Sequence, residues 1–278
     1  MSATLSVHPA PIPTPSFWDN LVKHRELIEN LVVRDVKTRY KQSVLGYAWA
    51  VLNPLIVAVT YYFVFGLLMG KNNAVQIPYT LHTYFGLLIW NLFAVGLSTA
   101  TESLIAHMGL ITKVYFPREV FPISAVLSKI TDVGFGLVGM IPLLIFFQIM
   151  PSLPGLLLAL LLLPIPLLFT TGLGMLCACA NLFYRDVRYL VGMALGLLVF
   201  AVPNMYPLSL VGEKVLPIYL SNPIAVTIEA MRRLTFPQTG SASDLAGYLV
   251  LAAFVSVVTF FVGYMVFKRN EPRFAEFV

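Results

Sequence analysis

The sequence has very little charge. Asp, Glu, Lys and Arg make up 11% of its 278 residues, whereas hydrophobic residues make up 58%. A soluble globular domain carries roughly 25% charged residues, so water is not the solvent for most of this chain. Five long stretches hold no charged residue at all: 42–70, 72–101, 133–184, 189–212 and 245–267. The shortage of charge therefore predicts an integral membrane protein.

The charge-free stretches divide into six predicted transmembrane helices. A helix needs about 20 apolar residues to cross the hydrocarbon core of a bilayer. The longest stretch is interrupted by Pro151 and Pro154, so we expect it to hold two crossings. The predicted spans are 46–69, 81–105, 123–148, 155–180, 190–207 and 246–267. Residues 46–278 are thus expected to form one all-α transmembrane domain of six helices.

Residues that build catalytic or metal sites are also scarce. Cys177 and Cys179 point in different directions on one helix, which disfavours a disulfide framework. The four histidines do not have a metal-ligand spacing such as H-E-x-x-H. The string nearest to a phosphate-binding loop, Gly66 to Lys71, has the wrong spacing. We expect this chain to have no catalytic residue, no metal and no cofactor of its own.

Ionisable residues are missing from the middle of the predicted spans. Glu102, Lys129 and Asp132 lie near span ends, and Lys129 is predicted to pair with Asp132 three residues on. Proton- and sodium-coupled transporters place such residues at mid-membrane, so the sequence offers no candidate for ion coupling. The compact charged group at 185–188 could serve a membrane-bound enzyme, but a cytoplasmic connection explains it more simply.

The first 45 residues are polar and divide into two predicted segments. Residues 1–15 alternate proline with other residues, which predicts a disordered tail. Residues 16–45 place apolar side chains at helical spacing among basic ones. This pattern predicts an amphipathic helix lying in the membrane interface near anionic lipid head groups. Packing of its apolar face against the protein's own spans is an alternative, and both could hold at once.

Positive charge predicts the orientation of the chain. Lys and Arg are concentrated on one side of the predicted spans: Lys23, Arg25, Arg34, Lys37, Arg39, Lys41, Lys113, Arg118, Lys129, Arg185, Arg188, Lys268, Arg269 and Arg273. The other side has only Lys71, Lys214, Arg232 and Arg233. The positive-inside rule then places both termini in the cytoplasm. The net charge of +5 reflects the basic residues on this side. Membrane orientation explains this charge, so we expect no nucleic-acid partner.

The connection between the fifth and sixth spans is irregular. Residues 203–237 include five prolines among apolar runs. We expect short re-entrant helices that dip into the outer face, where irregular backbone must be buried in protein or line a cavity.

Four strings in the sequence resemble one family. They are LVVRDVKTRYKQSVLGYAW at 31–49 with the following Asn53-Pro54, KVYFPRE at 113–119, NLFYRDVRY at 181–189, and NPIAVTIEAMR at 222–232. Their order and content resemble the permeases that export O-antigen and related polysaccharides, which are type-2 ABC exporters. The proline-rich tail has no counterpart in the resemblance.

The resemblance implies a set of partners. It implies a homodimer of permeases with two separate ATPase subunits, which bind ATP and Mg²⁺, in the bacterial inner membrane. The cargo would be a polysaccharide on a polyprenyl-diphosphate-type lipid. The predicted ATPase-docking residues are Lys113, Tyr115, Phe116, Arg118 and Glu119. The residues predicted to meet lipid head groups or the pyrophosphate are Arg34, Lys37, Arg39 and Lys41.

Aromatic residues suggest where a sugar polymer would pass. Aromatic rings stack on sugars without demanding one sugar, so we predict a channel lining of Tyr61, Tyr62, Phe65, Tyr84 and Trp90. A lipid-facing belt or helix packing explains any one of these residues equally well. Two other functions stay open at this point. One is type-2 export of capsule, teichoic acid, lipid or a drug, and the other is a membrane enzyme of lipid-sugar metabolism.

Overall fold

The computed structural model describes residues 23–41, 43–68, 77–111 and 117–276, and this part of the chain contains helices and turns but no β-strand. The predicted tail at 1–15 lies outside the described residues, as does Lys71. In chain order the helices are α1 (Arg25–Tyr40), α2 (Ala48–Tyr61), α3 (Tyr79–Ala106), α4 (Met108–Ile111), α5 (Val120–Leu127), α6 (Lys129–Phe147), α7 (Leu153–Leu160), α8 (Pro164–Phe183), α9 (Val187–Leu198), α10 (Leu216–Leu220), α11 (Pro223–Thr235) and α12 (Ala246–Asn270).

Five helical segments are long and apolar enough to cross a membrane. They are Ala48–Leu67, Tyr79–Ala106, Val120–Phe147, Leu153–Phe183 and Ser243–Phe274. Each coincides with one of the six predicted spans, with ends that differ by a few residues. The prediction of an all-helical protein with several apolar spans is therefore confirmed.

The predicted fifth span differs from the structure. Helix α9 has 12 residues and continues for three more, Val199–Ala201, as a tight 3-10 turn. A helix of this length covers about 22 Å, less than the roughly 30 Å of a hydrocarbon core. The prediction that a helix runs on to residue 207 is wrong, because Pro203 cannot donate a helical hydrogen bond and disfavours helical backbone at Val202. The chain from Val202 to Met205 is irregular and buried.

Helix α3 lies at the centre of the fold. Most of its 28 residues are buried, and it packs against α2, α5, α6, α8, α9 and α11. The middle of α8 packs closely against α12, where a Cβ added to Gly263 would lie 2.3 Å from the carbonyl oxygen of Gly172. Small residues of this kind let helix backbones approach each other in membrane proteins.

Helix α1 packs on the protein's own helices. Ile28 and Leu31 are buried in a cluster with Val120 and Phe121 of α5. The structure therefore shows the alternative stated for this segment, which is packing against the spans. Its position in a membrane interface stays a prediction.

The connection before α12 contains short helices that differ in burial. The side chain of Asn222 caps α11 by accepting a hydrogen bond from the Ile224 amide at 3.0 Å, and Pro223 occupies the first helical position. Helix α11 is buried along nearly its whole length against α3, α7, α8 and α12. The irregular chain at 202–205 is buried as well, whereas residues 206–219 are exposed or half-buried. The depth of this connection in a membrane stays a prediction.

Candidate functional site

A cavity of about 810 Å³ opens between α1, the C-terminal end of α3 and the start of α6; we call it the α1 cavity. Its lining is Arg34, Asp35, Thr38, Arg39, Thr99, Glu102, Ser103, Ala106, His107, Gly109, Leu110, Ala125, Ser128 and Lys129. Two of the four residues predicted to meet a lipid head group, Arg34 and Arg39, lie in this lining. The other two, Lys37 and Lys41, are exposed and do not line it.

Position along α1 separates the part that packs on the protein core from the part that lines the cavity. Arg34, Asp35, Thr38 and Arg39 lie in the C-terminal half of α1, and all four line the cavity. Ile28 and Leu31 lie in the N-terminal half and are buried against α5. One short amphipathic helix therefore carries basic groups to the cavity while it is held by apolar packing.

Ion pairs fix the arginines of the α1 cavity. The Arg39 guanidinium is ion-paired with Asp132 and contacts the Ser128 hydroxyl, and Arg34 pairs with Asp35 at 3.1 Å. The predicted pair between Lys129 and Asp132 is wrong, because the packing of α1 on the start of α6 brings Arg39 to that carboxylate instead. Lys129 is buried, with 1% of its surface exposed, and it lines the cavity.

His107 joins α3 to α1. Its Nδ1 lies 2.7 Å from the carbonyl oxygen of Ser103, which can only accept, so Nδ1 carries the proton. The Nε2 atom is then free to accept a hydrogen bond from Arg34. The imidazole also stacks on Phe121, with ring centroids 4.6 Å apart. These contacts hold the His107 ring at the rim of the cavity.

A smaller cavity of about 290 Å³ adjoins the first. It is lined by Glu102, Ile105, Ala106, Asn181, Arg185 and Arg188. Glu102 and Ala106 belong to both cavities, so the charged connection at 185–188 lies at the same end of the molecule as α1.

The predicted docking segment is anchored to the end of the last long helix. Arg118 donates to the carbonyl oxygen of Glu271 at 2.7 Å, and Lys268 binds Glu119 at 2.8 Å and Glu271 at 2.9 Å. Glu119 is only 2% exposed. Three further predicted docking residues, Lys113, Tyr115 and Phe116, lie outside the described residues.

The predicted channel residues lie in two different environments. Tyr61 and Phe65 pack edge to face with centroids 5.9 Å apart and are partly exposed, as is Tyr62. Tyr84 is fully buried and donates to the Gly136 carbonyl at 2.9 Å, and Trp90 is buried as well. A side chain enclosed by its own chain cannot touch a passing polymer, so burial does not suit a lining role for these two.

Sequence reasoning missed a buried polar network around Arg232. This guanidinium is 1% exposed and donates to Glu229 at 2.7 Å and to the Pro203 carbonyl at 2.6 Å. Arg233 binds the second oxygen of Glu229 at 2.9 Å. Burial lowers the pKa of the Arg232 guanidinium, and the Glu229 carboxylate opposes this effect. The signal was present in the sequence as an acidic residue followed by basic residues three and four positions later.

Comparisons with known proteins agree with this architecture. The family model for the ABC-2 type transporter matches residues 26–236. An O-antigen export system permease protein RfbA from Klebsiella pneumoniae is 33% identical over 256 residues, which is 90% of this chain and 94% of that protein. Another RfbA, from Myxococcus xanthus, is 30% identical over 92% of this chain and 96% of its own length. The polysialic acid transport protein KpsM of Escherichia coli is 23% identical over 88% of this chain and 93% of its own. The chain therefore belongs to the ABC-2 type transporter family, as a membrane permease of the O-antigen export type.

Proposed function

We propose that this chain forms the channel of an ABC transporter that exports a lipid-linked, O-antigen-like polysaccharide across the bacterial inner membrane. The observation that carries the proposal is the likeness to proteins named O-antigen export permeases, which extends over nine-tenths or more of both chains. The described part of the structure supports it with apolar helices and with a polar cavity near α1.

The energy for transport would come from a separate ATPase. We propose a homodimer of this chain with two ATPase subunits, each of which binds ATP and Mg²⁺. The segment 113–119 would contact the ATPase. The hydrogen bond from Arg118 to the Glu271 carbonyl and the ion pair of Glu119 with Lys268 would hold that segment in place. In this arrangement Arg118 and Glu119 attach the segment to the permease itself, and Lys113, Tyr115 and Phe116 would contact the ATPase.

We propose six crossings, with both termini in the cytoplasm. Five crossings correspond to the long apolar segments, and the sixth would combine α9 with the buried irregular chain that follows it. Helices α10 and α11 would form the re-entrant region at the outer face. The basic groups of α1, of 185–188 and of the end of α12 would then lie together on the cytoplasmic side, as the positive-inside rule requires.

The polymer would move along aromatic residues of α2 and of the π-helix Tyr62–Leu68 that follows it. Tyr61, Tyr62 and Phe65 are partly exposed in this protomer, so a partner copy could complete a channel around them. Rings and hydroxyls of this kind bind sugars weakly and at many points, which lets a long chain slide.

Deletion of the gene tests this function. Cells that lack the permease should keep completed polysaccharide in the cytoplasm and lose it from the surface, and a plasmid copy should restore export. Unchanged surface polysaccharide in the deletion strain would refute the proposal. Co-purification of a separate ATPase with the tagged permease tests the partner, because a membrane enzyme of lipid-sugar metabolism would have none.

A further inference from the structure

The segment that follows the last long helix packs against the rest of the protein. Pro272 cannot donate the next helical hydrogen bond, so α12 gives way to a 3-10 helix, Glu271–Glu276, which we call the C-terminal turn. Pro272 and Arg273 are exposed, whereas the side chain of Phe274 is fully buried. A ring of this size leaves water completely only where other side chains surround it, so the neighbours of Phe274 show what the turn holds.

The neighbours of Phe274 belong to three separate elements. The Arg118 guanidinium lies over its ring, with the Cζ atom 5.8 Å from the ring centroid. The ring of Phe183, the last residue of α8, has its centroid 6.1 Å away. The ring of Phe267 on α12 packs edge to face at a centroid distance of 5.1 Å. One enclosed side chain therefore contacts the segment before α5, the end of α8 and the end of α12.

Polar contacts of Glu271 hold the start of α5 to the same turn. The Glu271 carboxylate accepts a hydrogen bond from the Arg118 amide at 3.2 Å, and the Glu271 carbonyl accepts one from the Arg118 guanidinium at 2.7 Å. The Arg118 amide precedes α5 and has no partner within that helix, and a carboxylate is favourable near a helix N-terminus. Lys268 joins Glu271 to the buried Glu119 and completes the attachment.

The connection after α8 is tied down on both sides of its first residue. Asn181 is fully buried, and its side-chain amide donates to the Thr101 carbonyl of α3 at 3.0 Å. The Asn181 Oδ1 atom accepts a hydrogen bond from the Arg188 amide at 3.3 Å. Phe183, two residues after Asn181, contacts Phe274. The connection at 184–188 is thus attached to α3 through Asn181 and to the C-terminal turn through Phe183.

We propose that the C-terminal turn joins the segment before α5 to the connection at 184–188, and that Phe274 is the positioning residue that makes the two move together during transport. The inference rests on the proposed function, in which an ATPase acts on residues 113–119. A displacement of Arg118 would then reach the second connection through Phe274, in addition to α12. A ring enclosed by close-packed neighbours suits this role because it cannot shift without displacing them.

Hydrogen–deuterium exchange of the full-length permease in detergent micelles tests the joining without a transport assay. Phe274→Ala removes the ring, so we expect amide exchange about tenfold faster or more in both 118–121 and 183–189, because local opening becomes easier when packing is lost. The matched control is Phe261→Ala, which removes a half-exposed ring from α12 and should leave both segments unchanged. Faster exchange in only one of the two segments, or in neither, would overturn the proposal. An equal rise in the distant helix α11 would also overturn it, since the ring would then support the whole fold.

A second substitution keeps the test decisive. Phe274→Leu keeps an apolar side chain without the ring, so exchange in both segments should lie between the wild-type and Phe274→Ala rates. This variant answers the question even where Phe274→Ala does not fold, because a change confined to one segment would again overturn the proposal.

The transport part of the proposal is measured in cells. Phe274→Ala should lower surface polysaccharide per assembled transporter while the ATPase still co-purifies, and Phe274→Leu should restore most of the export. Wild-type export by Phe274→Ala would overturn the role in transport. Normal surface polysaccharide in the deletion strain would instead refute the proposed function, and the exchange rates distinguish the two cases because they do not depend on export.

Discussion

The buried network of α11 gives a prediction whose size follows from the structure. One carboxylate, Glu229, holds two guanidinium groups, those of Arg232 and Arg233, at 2.7 and 2.9 Å. The side chains of Glu229 and Arg232 are 6% and 1% exposed. Removal of one partner from a buried ion pair leaves an uncompensated charge and costs about 3–5 kcal/mol. We therefore expect Glu229→Gln to lower the free energy of unfolding by about that amount.

The same network contains a matched control. Asp244 lies 3.7 Å from Arg233, but its side chain is 67% exposed. Exposed ion pairs are worth roughly 0–1 kcal/mol, so Asp244→Asn should have a small effect. Reversible unfolding of the purified chain in mixed micelles, with a denaturing detergent as titrant, measures both variants. Similar losses for the two variants, or a loss below about 1 kcal/mol for Glu229→Gln, would refute the reasoning, because the buried and closely bound carboxylate should matter far more than the exposed one.

A double variant separates the contribution of the ion pair between Glu229 and Arg232 from that of the packing around it. Glu229→Gln combined with Arg232→Gln removes both charges and leaves no buried guanidinium without a partner. We expect the loss of unfolding free energy in the double variant to be smaller than the sum of the losses in the two single variants. A double-mutant cycle gives this result when the two side chains interact. Strictly additive losses would show that the two side chains act independently.

Three further predictions concern transport. The purified chain should hydrolyse no ATP until its partner is added, which a phosphate-release assay checks; hydrolysis by the isolated chain would contradict the assignment of ATP binding to the partner. In a background without cysteine, a cysteine at Lys214 should react with an impermeant thiol reagent on intact cells, whereas one at Arg185 should not; the reverse pattern would invert the topology. Replacement of Tyr61 and Phe65 by Ala should lower surface polysaccharide per assembled transporter relative to Leu67→Ala; equal export would show that the rings are packing residues.

The sequence predicted most of the long helices because the absence of charge and the length of an apolar stretch report directly on membrane spanning. It did not predict where α9 ends. Residues 202–205 lie in a stretch without charge, yet they are irregular and buried by α3 and α11 rather than helical. Hydropathy shows that a side chain avoids water. It does not show whether lipid or the protein interior surrounds that side chain. Pro203 was the local signal that distinguished the two.

Side-chain partners were predicted less well because they depend on packing between distant segments. Asp132 is three residues from Lys129 in sequence, yet its partner is Arg39, which is 93 positions away. Arg232 and Arg233 were interpreted only as outer-side charges that set the orientation. The structure shows in addition that Arg232 is buried and bound to the Pro203 carbonyl and that both arginines bind Glu229. A single sequence gives the spacing of charges along one helix but not the identity of the helix that packs against it.

The anchoring of the docking segment bears on how an ATPase could act on this permease. A loop transmits a displacement only to the elements to which it is firmly attached. Glu119 is buried and ion-paired with Lys268, and the Arg118 guanidinium donates a hydrogen bond to the carbonyl oxygen of Glu271, so residues 118 and 119 are attached to the end of the last long helix. A displacement of residues 118 and 119 would therefore reach α12 and, through the close packing of Gly172 and Gly263, α8. The α1 cavity lies on the other side of α5, which packs against both α1 and α8. If residues 113–119 dock the ATPase as predicted, α5 provides a physical route from the ATPase to this cavity.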